Sequence, residues 1–258
     1  MPDRLWSFEW LAVAYFTALG VTAIVGWTSR RRPGVALLVA AGTVGGILVI
    51  PGIAPEPVRL WAAHAYLAIG YWLPAWLVAA RPADTFEGWL ARTDIGWRRR
   101  AGKVPRWAAN AGALAYLTCY ALVPVTFAVL WVRGGRADVE GFWVAVLGAA
   151  FTCFGGLPWL TSRPPRGAPD AAGAIGRVNA MLLSRMSHGL NTFPSGHVAV
   201  AVAVAGRALA VSWPAGLVVG VIAAGIALGA VTGRHHYAVD ALSGAGVGLA
   251  ALLVSLAF

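Results

Sequence analysis

Eight apolar runs separated by short polar or basic segments set the pattern of the chain, at roughly 8–27, 34–53, 58–80, 111–132, 140–160, 195–212, 214–232 and 236–257. Each approaches the roughly 20 residues a helix needs to cross a bilayer. Pro51, Pro55 and Pro57 crowd the link between the second and third runs, which reads as a tight hairpin of two spans or as a re-entrant piece. From Val198 to Ala205 valine alternates with alanine, but both are apolar, so the alternation defines no polar face and carries no strand signal. A lone strand in a bilayer would also leave its backbone groups unpaired, which a helix does not. The pattern predicts an all-α fold, a polytopic helical membrane bundle of about eight spans. Gly220, Ala223, Ala224, Gly225 and Gly229 in the seventh run, and Gly244, Gly246 and Gly248 in the eighth, are small enough for those helices to approach closely.

Two polar segments interrupt the pattern. In 81–110, Phe86, Trp89, Leu90 and Trp97 recur at helical spacing, and Arg98, Arg99, Arg100, Lys103 and Arg106 crowd the far end. That is the signature of an interfacial amphipathic helix with a basic tail for anionic headgroups. Segment 161–194 is the long polar connection of the C-terminal half, and connections of that length are more often functional than idle. The expected organisation is an N-terminal membrane hairpin over 1–57 and a membrane core over 58–258, with 161–194 as an active-site loop. Composition agrees, since 59% of residues are hydrophobic and 12% charged, against about 25% charged in soluble domains. The net charge of +10 sits in the loops, which suggests anionic membrane lipids and anionic substrates as partners and not nucleic acid. Cys119 and Cys153 fall inside apolar runs and read as small buried hydrophobes.

Candidate chemistry gathers at the heads of two runs. Asn191-Thr-Phe-Pro-Ser-Gly-His197 places Ser195 where a helix N-cap belongs and His197 in the first turn. Free backbone N–H groups and the helix dipole make such a turn an anion site. In Arg234-His-His-Tyr-Ala-Val-Asp240, His236 and Asp240 are four apart and share a helix face. A carboxylate there can hold the imidazole Nδ1–H and leave Nε2 free as a nucleophile.

These residues resemble the type 2 phosphatidic acid phosphatase superfamily over roughly 140–258. The Pro-Ser-Gly-His signature stands at Pro194–His197, and the His-x-x-x-Asp at His236 and Asp240. A third element is partial: Arg163-Pro164-Pro165-Arg166 supplies an Arg-Pro, but Gly156 occupies the place of the upstream basic residue. Ala230 stands where the family has an arginine six before the second histidine. Arg234 could replace it, on the expectation that four residues along a helix keep the same face.

The resemblance implies a six-helix phosphatase core, His236 as nucleophile forming a phosphohistidine, Asp240 orienting it and His197 protonating the leaving alcohol. Ser195, Gly196, Arg234 and Arg163 or Arg166 would cradle the phosphate, with Asn191 and His188 in reach of substrate. His235 is read as a neighbour without a role and His64 as a core histidine. No His-x-x-x-His or Cys-x-x-Cys spacing is present, so no metal and no cofactor is expected. The expected function is hydrolysis of a lipid phosphomonoester or diphosphate. The alternatives are a phosphotransferase to a sugar or inositol hydroxyl, and a non-catalytic membrane transporter or scaffold. The haloperoxidase branch of the superfamily is soluble, unlike this chain.

The expected location is a bacterial inner (cytoplasmic) membrane, but two arguments collide over sidedness. With eight spans, 15 of the 20 Lys and Arg residues share the catalytic side, which the positive-inside rule would place in the cytoplasm. The resemblance implies the periplasmic or outer face, and that face is kept as the expectation.

Overall fold

The structure is a computed structural model and describes residues 5–79, 85–96, 105–165 and 173–258. The described residues form eleven named helices: α1 (Ser7–Val25), α2 (Pro33–Ile53), α3 (Glu56–Trp76), α4 (Thr85–Thr93), α5 (Arg106–Leu117), α6 (Cys119–Arg133), α7 (Arg136–Gly155), α8 (Gly173–Met186), α9 (Gly196–Val211), α10 (Trp213–Thr232) and α11 (Ala238–Ser255). No strand forms among them, and two isolated bridges pair Arg30 with Ala79 and Ser162 with Asn191. The all-α expectation holds.

Five helices (α1, α2, α7, α10 and α11) are long and apolar enough to cross a membrane. The expected run at 111–132 starts earlier and is broken, as α5 and α6 meet at a 48° bend. α9 has 16 residues, short for a span. α3 has the length, but Glu56, Arg59 and His64 lower its apolarity. Both polar segments contain helices, the first read as helical from its sequence and the second read as a connection. The basic segment holds the short α4, while Trp97, Arg98, Arg99, Arg100 and Lys103 lie outside the described residues. The connection 161–194 contains α8, whose Ile175, Val178 and Leu182 recur at helical spacing.

α7 is the shaft of the bundle. Of its apolar stretch 72% is buried, against 17–39% in the other four spans. Phe142, Trp143, Leu147 and Phe151 fill its faces, and Tyr15 of α1 stacks on Phe151 with ring centroids 4.0 Å apart. Around it stand α1, α3, α6, α9 and α11, with α2 behind α1 and α10 between α9 and α5. The two ends differ in chemistry. At one, buried Glu9 takes Arg59 Nε and Nη2 at 3.1 and 2.5 Å, Glu56 pairs with Arg136, and Arg207 donates to the carbonyls of Asp138 and Ser255. At the other, Arg30 Nη1 donates to the carbonyls of Leu77 and Pro158, tying the α1–α2 turn to the ends of α3 and α7. That second end also carries the histidine loops.

The α9–α11 seam brings those loops together. A Cβ on Gly244 would lie 2.5 Å from the Ser195 carbonyl oxygen, and one on Gly248 would clash with that of Ala199. Gly246, two residues on, faces open space. Gly244 and Gly248 lie four apart on one face and let the two backbones touch. Replacing Gly248 with Ala should therefore cost about 1–3 kcal/mol of stability through overpacking and lower the thermal midpoint of the detergent-solubilised protein. Gly246→Ala should leave the midpoint within about a degree of the parent, or raise it through helix propensity. Equal midpoints for the two variants would show that the seam does not depend on that contact.

Candidate active site

Ser195 caps α9 as expected, with its hydroxyl accepting from the Val198 N–H at 3.5 Å. Its own N–H donates across the seam to the Asp240 carbonyl at 3.0 Å. The head of α9 is therefore fixed directly to the first turn of α11. His197 and His236 then face each other with ring centroids 5.8 Å apart.

Behind His236 lies fully buried Asp240. Its Oδ2 accepts Asn191 Nδ2 at 2.5 Å and the Tyr237 N–H at 3.1 Å and sits 3.6 Å from His236 Nδ1. That last separation exceeds a hydrogen bond. His236 Nδ1 and Asp240 Oδ1 are both buried without a partner, so a small ring rotation would satisfy both. Catalytic hydrogen bonds are often this long before substrate binds.

The two histidines line a cavity of about 600 Å³ between α5, α8 and the loops that precede α9 and α11. His188, Asn191, Thr192, Arg234 and His235 share its wall. His235, expected to be idle, stacks on Tyr116 at 4.4 Å and has its Nε2 3.5 Å from Asn179 Nδ2. Tyr116 also places its hydroxyl 3.4 Å from His197 Nδ1. A second, more apolar cavity of about 290 Å³ adjoins through Tyr71, Tyr120 and His197 and reaches His64.

Other expected residues are differently employed. Ser195 is fully buried and does not border the cavity, while the Gly196 N–H donates to Thr192 Oγ1 at 3.3 Å. Arg163 is exposed and pairs with Glu87 at 3.4 Å. Arg166 lies outside the described residues. Asn191 spends its amide N–H on Asp240 and so supports the carboxylate as well as bordering the cavity. The cysteines are free, Cys153 buried and Cys119 partly so.

Arg234 reaches the cavity by a route other than the expected one. α10 ends at Thr232, so Arg234 is no longer on the helix of Ala230 but in the following turn, at φ 57°. That backbone region costs a non-glycine residue about 1–3 kcal/mol. The turn is held by the Ala230 carbonyl, which accepts both the His235 and the His236 N–H, at 3.0 and 2.9 Å. Buried Arg234 is gripped from behind: Nη1 pairs with Asp94 Oδ2 and Nε donates to the Pro165 carbonyl at 3.1 Å. Asp94 was invisible as a site residue, although it is the one carboxylate between Gly88 and Asn110.

Comparison with known families covers this part of the chain. A profile of the PAP2 superfamily matches residues 92–254. The chain belongs to the PAP2 superfamily. No curated protein and no solved structure matches it. PAP2 membership together with the long apolar helices makes this an integral membrane protein of phosphatase type. The two histidines line one cavity with Asp240 buried behind His236, and the start of the matched region falls just before Asp94.

His188 closes the cavity in the loop before α9. Its Nδ1 accepts the Leu190 N–H at 3.2 Å, so Nε2 carries the proton and is buried without a partner. Burial pushes its pKa down to about 4, against 6.5 in the open chain. It therefore faces the cavity as a neutral donor at neutral pH. Because the unfolded chain binds the proton first, His188 lends stability that is fully present above about pH 6.5 and is lost as pH falls toward 4. His188→Gln should flatten the acid limb of the stability profile across that window. An unchanged limb, read by chemical denaturation between pH 4 and 7, would show that His188 titrates alike in both states.

Proposed function

We propose that the protein is a metal-independent lipid phosphate phosphatase working through a phosphohistidine. The reading is carried by His197 and His236 facing each other across one cavity, with Asp240 behind His236. His236 Nε2 attacks phosphorus in line with the ester oxygen, and the P–O bond to the lipid breaks. His197 gives its proton to the departing oxygen. Asp240 holds the Nδ1–H and stabilises the imidazolium character that develops on His236. In the second half a water attacks phosphorus, His197 takes the water's proton, and the P–N bond breaks to release phosphate and restore His236. The transition state spreads negative charge over three equatorial oxygens, so catalysis rests mostly on positioned cations and N–H donors. Arg234 and neutral donors such as His188 Nε2 supply them here.

The substrate would be a phosphate at the membrane interface, a phosphatidate-like or polyprenyl phosphate or diphosphate. Its apolar chain would leave through the second cavity, and its headgroup would sit in the larger one. Substituting either histidine tests this. His236→Ala should reduce phosphate release from detergent-solubilised protein to background, and His197→Ala should lower it about 10²–10⁴-fold, with helical content unchanged. EDTA should leave the rate as it was. Strong EDTA inhibition reversed by zinc or magnesium would overturn the metal-independent reading.

One observation favours a second reading. Besides the histidines, hydroxyl and amide groups line the larger cavity: Tyr71, Tyr120, Asn179, Ser184 and Ser187. Such a wall suits a polyhydroxyl acceptor, to which the phosphohistidine could pass its group in place of water. A lipid product that appears only when a sugar or inositol acceptor is added would establish the transferase.

The catalytic end is assigned to the outer face of a bacterial inner membrane, against the charge count. Thr28 lies exposed in the α1–α2 turn at that end. A Thr28→Cys protein lacking Cys119 and Cys153 should react with a membrane-impermeant thiol reagent in intact, outer-membrane-permeabilised cells. Protection until lysis would place the site in the cytoplasm.

A further inference from the structure

The short helix α4 touches all three segments that carry the chemistry. Glu87 accepts from the Arg163 backbone N–H at 3.2 Å and from its Nε at 3.4 Å. Phe86 and Trp89 meet Phe193 edge-on, at 5.3 and 6.1 Å between centroids, just ahead of the Pro-Ser-Gly-His turn. Asp94, one residue beyond the helix, divides its two carboxylate oxygens. Oδ2 pairs with Arg234 Nη1, and Oδ1 accepts the Ala238 N–H, the first residue of α11, at 3.1 Å. Asp94 is 2% exposed and Arg234 7%, so each would be a costly orphan without the other.

A carboxylate beside an arginine that is meant to grip phosphate looks self-defeating, because it cancels the charge the anion needs. The geometry resolves this. Asp94 and the Pro165 carbonyl occupy Nη1 and Nε, and among the described residues nothing pairs with Nη2. A guanidinium has five N–H donors in a rigid plane, so anchoring one edge fixes the direction of the rest. On a long side chain at a strained turn, that anchoring turns a mobile charge into an aimed one.

We propose that Asp94 is a positioning residue: it holds the Arg234 guanidinium so that its free edge meets the substrate phosphate, and α4 is the clamp that ties this arm to both histidine loops. The proposal rests on the phosphatase reading for its substrate, but the anion-gripping arm can be tested without turnover.

The first arm is kinetic, on purified full chain in detergent with phosphatidate in mixed micelles. Asp94→Asn should lower kcat/KM about tenfold, the scale of a lost charged hydrogen bond, with most of the change in KM. In an Arg234→Gln background, where an amide pair can replace the ion pair, the same substitution should cost less than about twofold, because Asp94 acts only through the arginine. An equal loss in both backgrounds is what a merely structural role gives, and it overturns the proposal. The second arm is binding of inorganic phosphate to His236→Ala protein by calorimetry. Adding Asp94→Asn should weaken it about tenfold. Unchanged or tighter binding means that Asp94 is only a counter-charge, and no binding by the parent means that there is no such arm. Turnover surviving in His236→Ala would defeat the phosphohistidine reading, and the phosphate-binding arm would then decide the role of Asp94 alone.

Discussion

The hydrogen bond from the Ser195 N–H to the Asp240 carbonyl joins the heads of two parallel helices beside the cavity that the histidines line. It can form only because Gly244 and Gly248 remove the side chains that would hold α9 and α11 apart. In an apolar surrounding an unpaired backbone group is expensive, so the bond and the small residues act together. The seam sets the separation of His197, in the first turn of α9, and His236, in the turn just ahead of α11. α7, packed against both partners, keeps the pair from sliding.

The remaining polar groups follow the same economy. At the end away from the cavity, Glu9 takes the Trp6 N–H as well as Arg59, and Arg207 Nε is the buried atom left over from its ion pairs. Around the cavity, several buried atoms stay open: His236 Nδ1, Asp240 Oδ1, His188 Nε2, Asn191 Oδ1 and Asn179 Oδ1. Buried polar atoms are normally satisfied. Such a concentration around one cavity marks groups that wait for a ligand or for each other, which is how a site differs from a scaffold built of the same residue types.

The sequence showed what periodicity and spacing can show. The apolar runs predicted the all-α bundle, and two short motifs carried the family resemblance. Helix ends were harder: α5 and α6 break at Thr118 inside a run read as one continuous span. The amphipathic α8 was hidden in a segment read as a connection because Gly173 and Gly176 weaken its helical signal. Arg234 was expected on the face of Ala230, an argument that required the helix to continue two residues further than it does. Asp94 could not be read at all, because its meaning lies in a partner 140 positions away.

The two departures from the family pattern have a spatial cause. A Cβ at Gly156 would lie 3.2 Å from the Phe193 carbonyl oxygen, so a long basic side chain there would press on the turn before the Pro-Ser-Gly-His motif. Ala230 is fully buried, and its carbonyl holds the backbone of both His235 and His236. In this chain those positions shape the loops, and they are too crowded to charge them. The cation near the histidine pair therefore comes from the turn itself, at Arg234, and a turn residue cannot be aimed by a helix. Something outside the turn has to aim it. The carboxylate that follows α4 at Asp94 fills that requirement, which makes a nine-residue helix part of the architecture of the site.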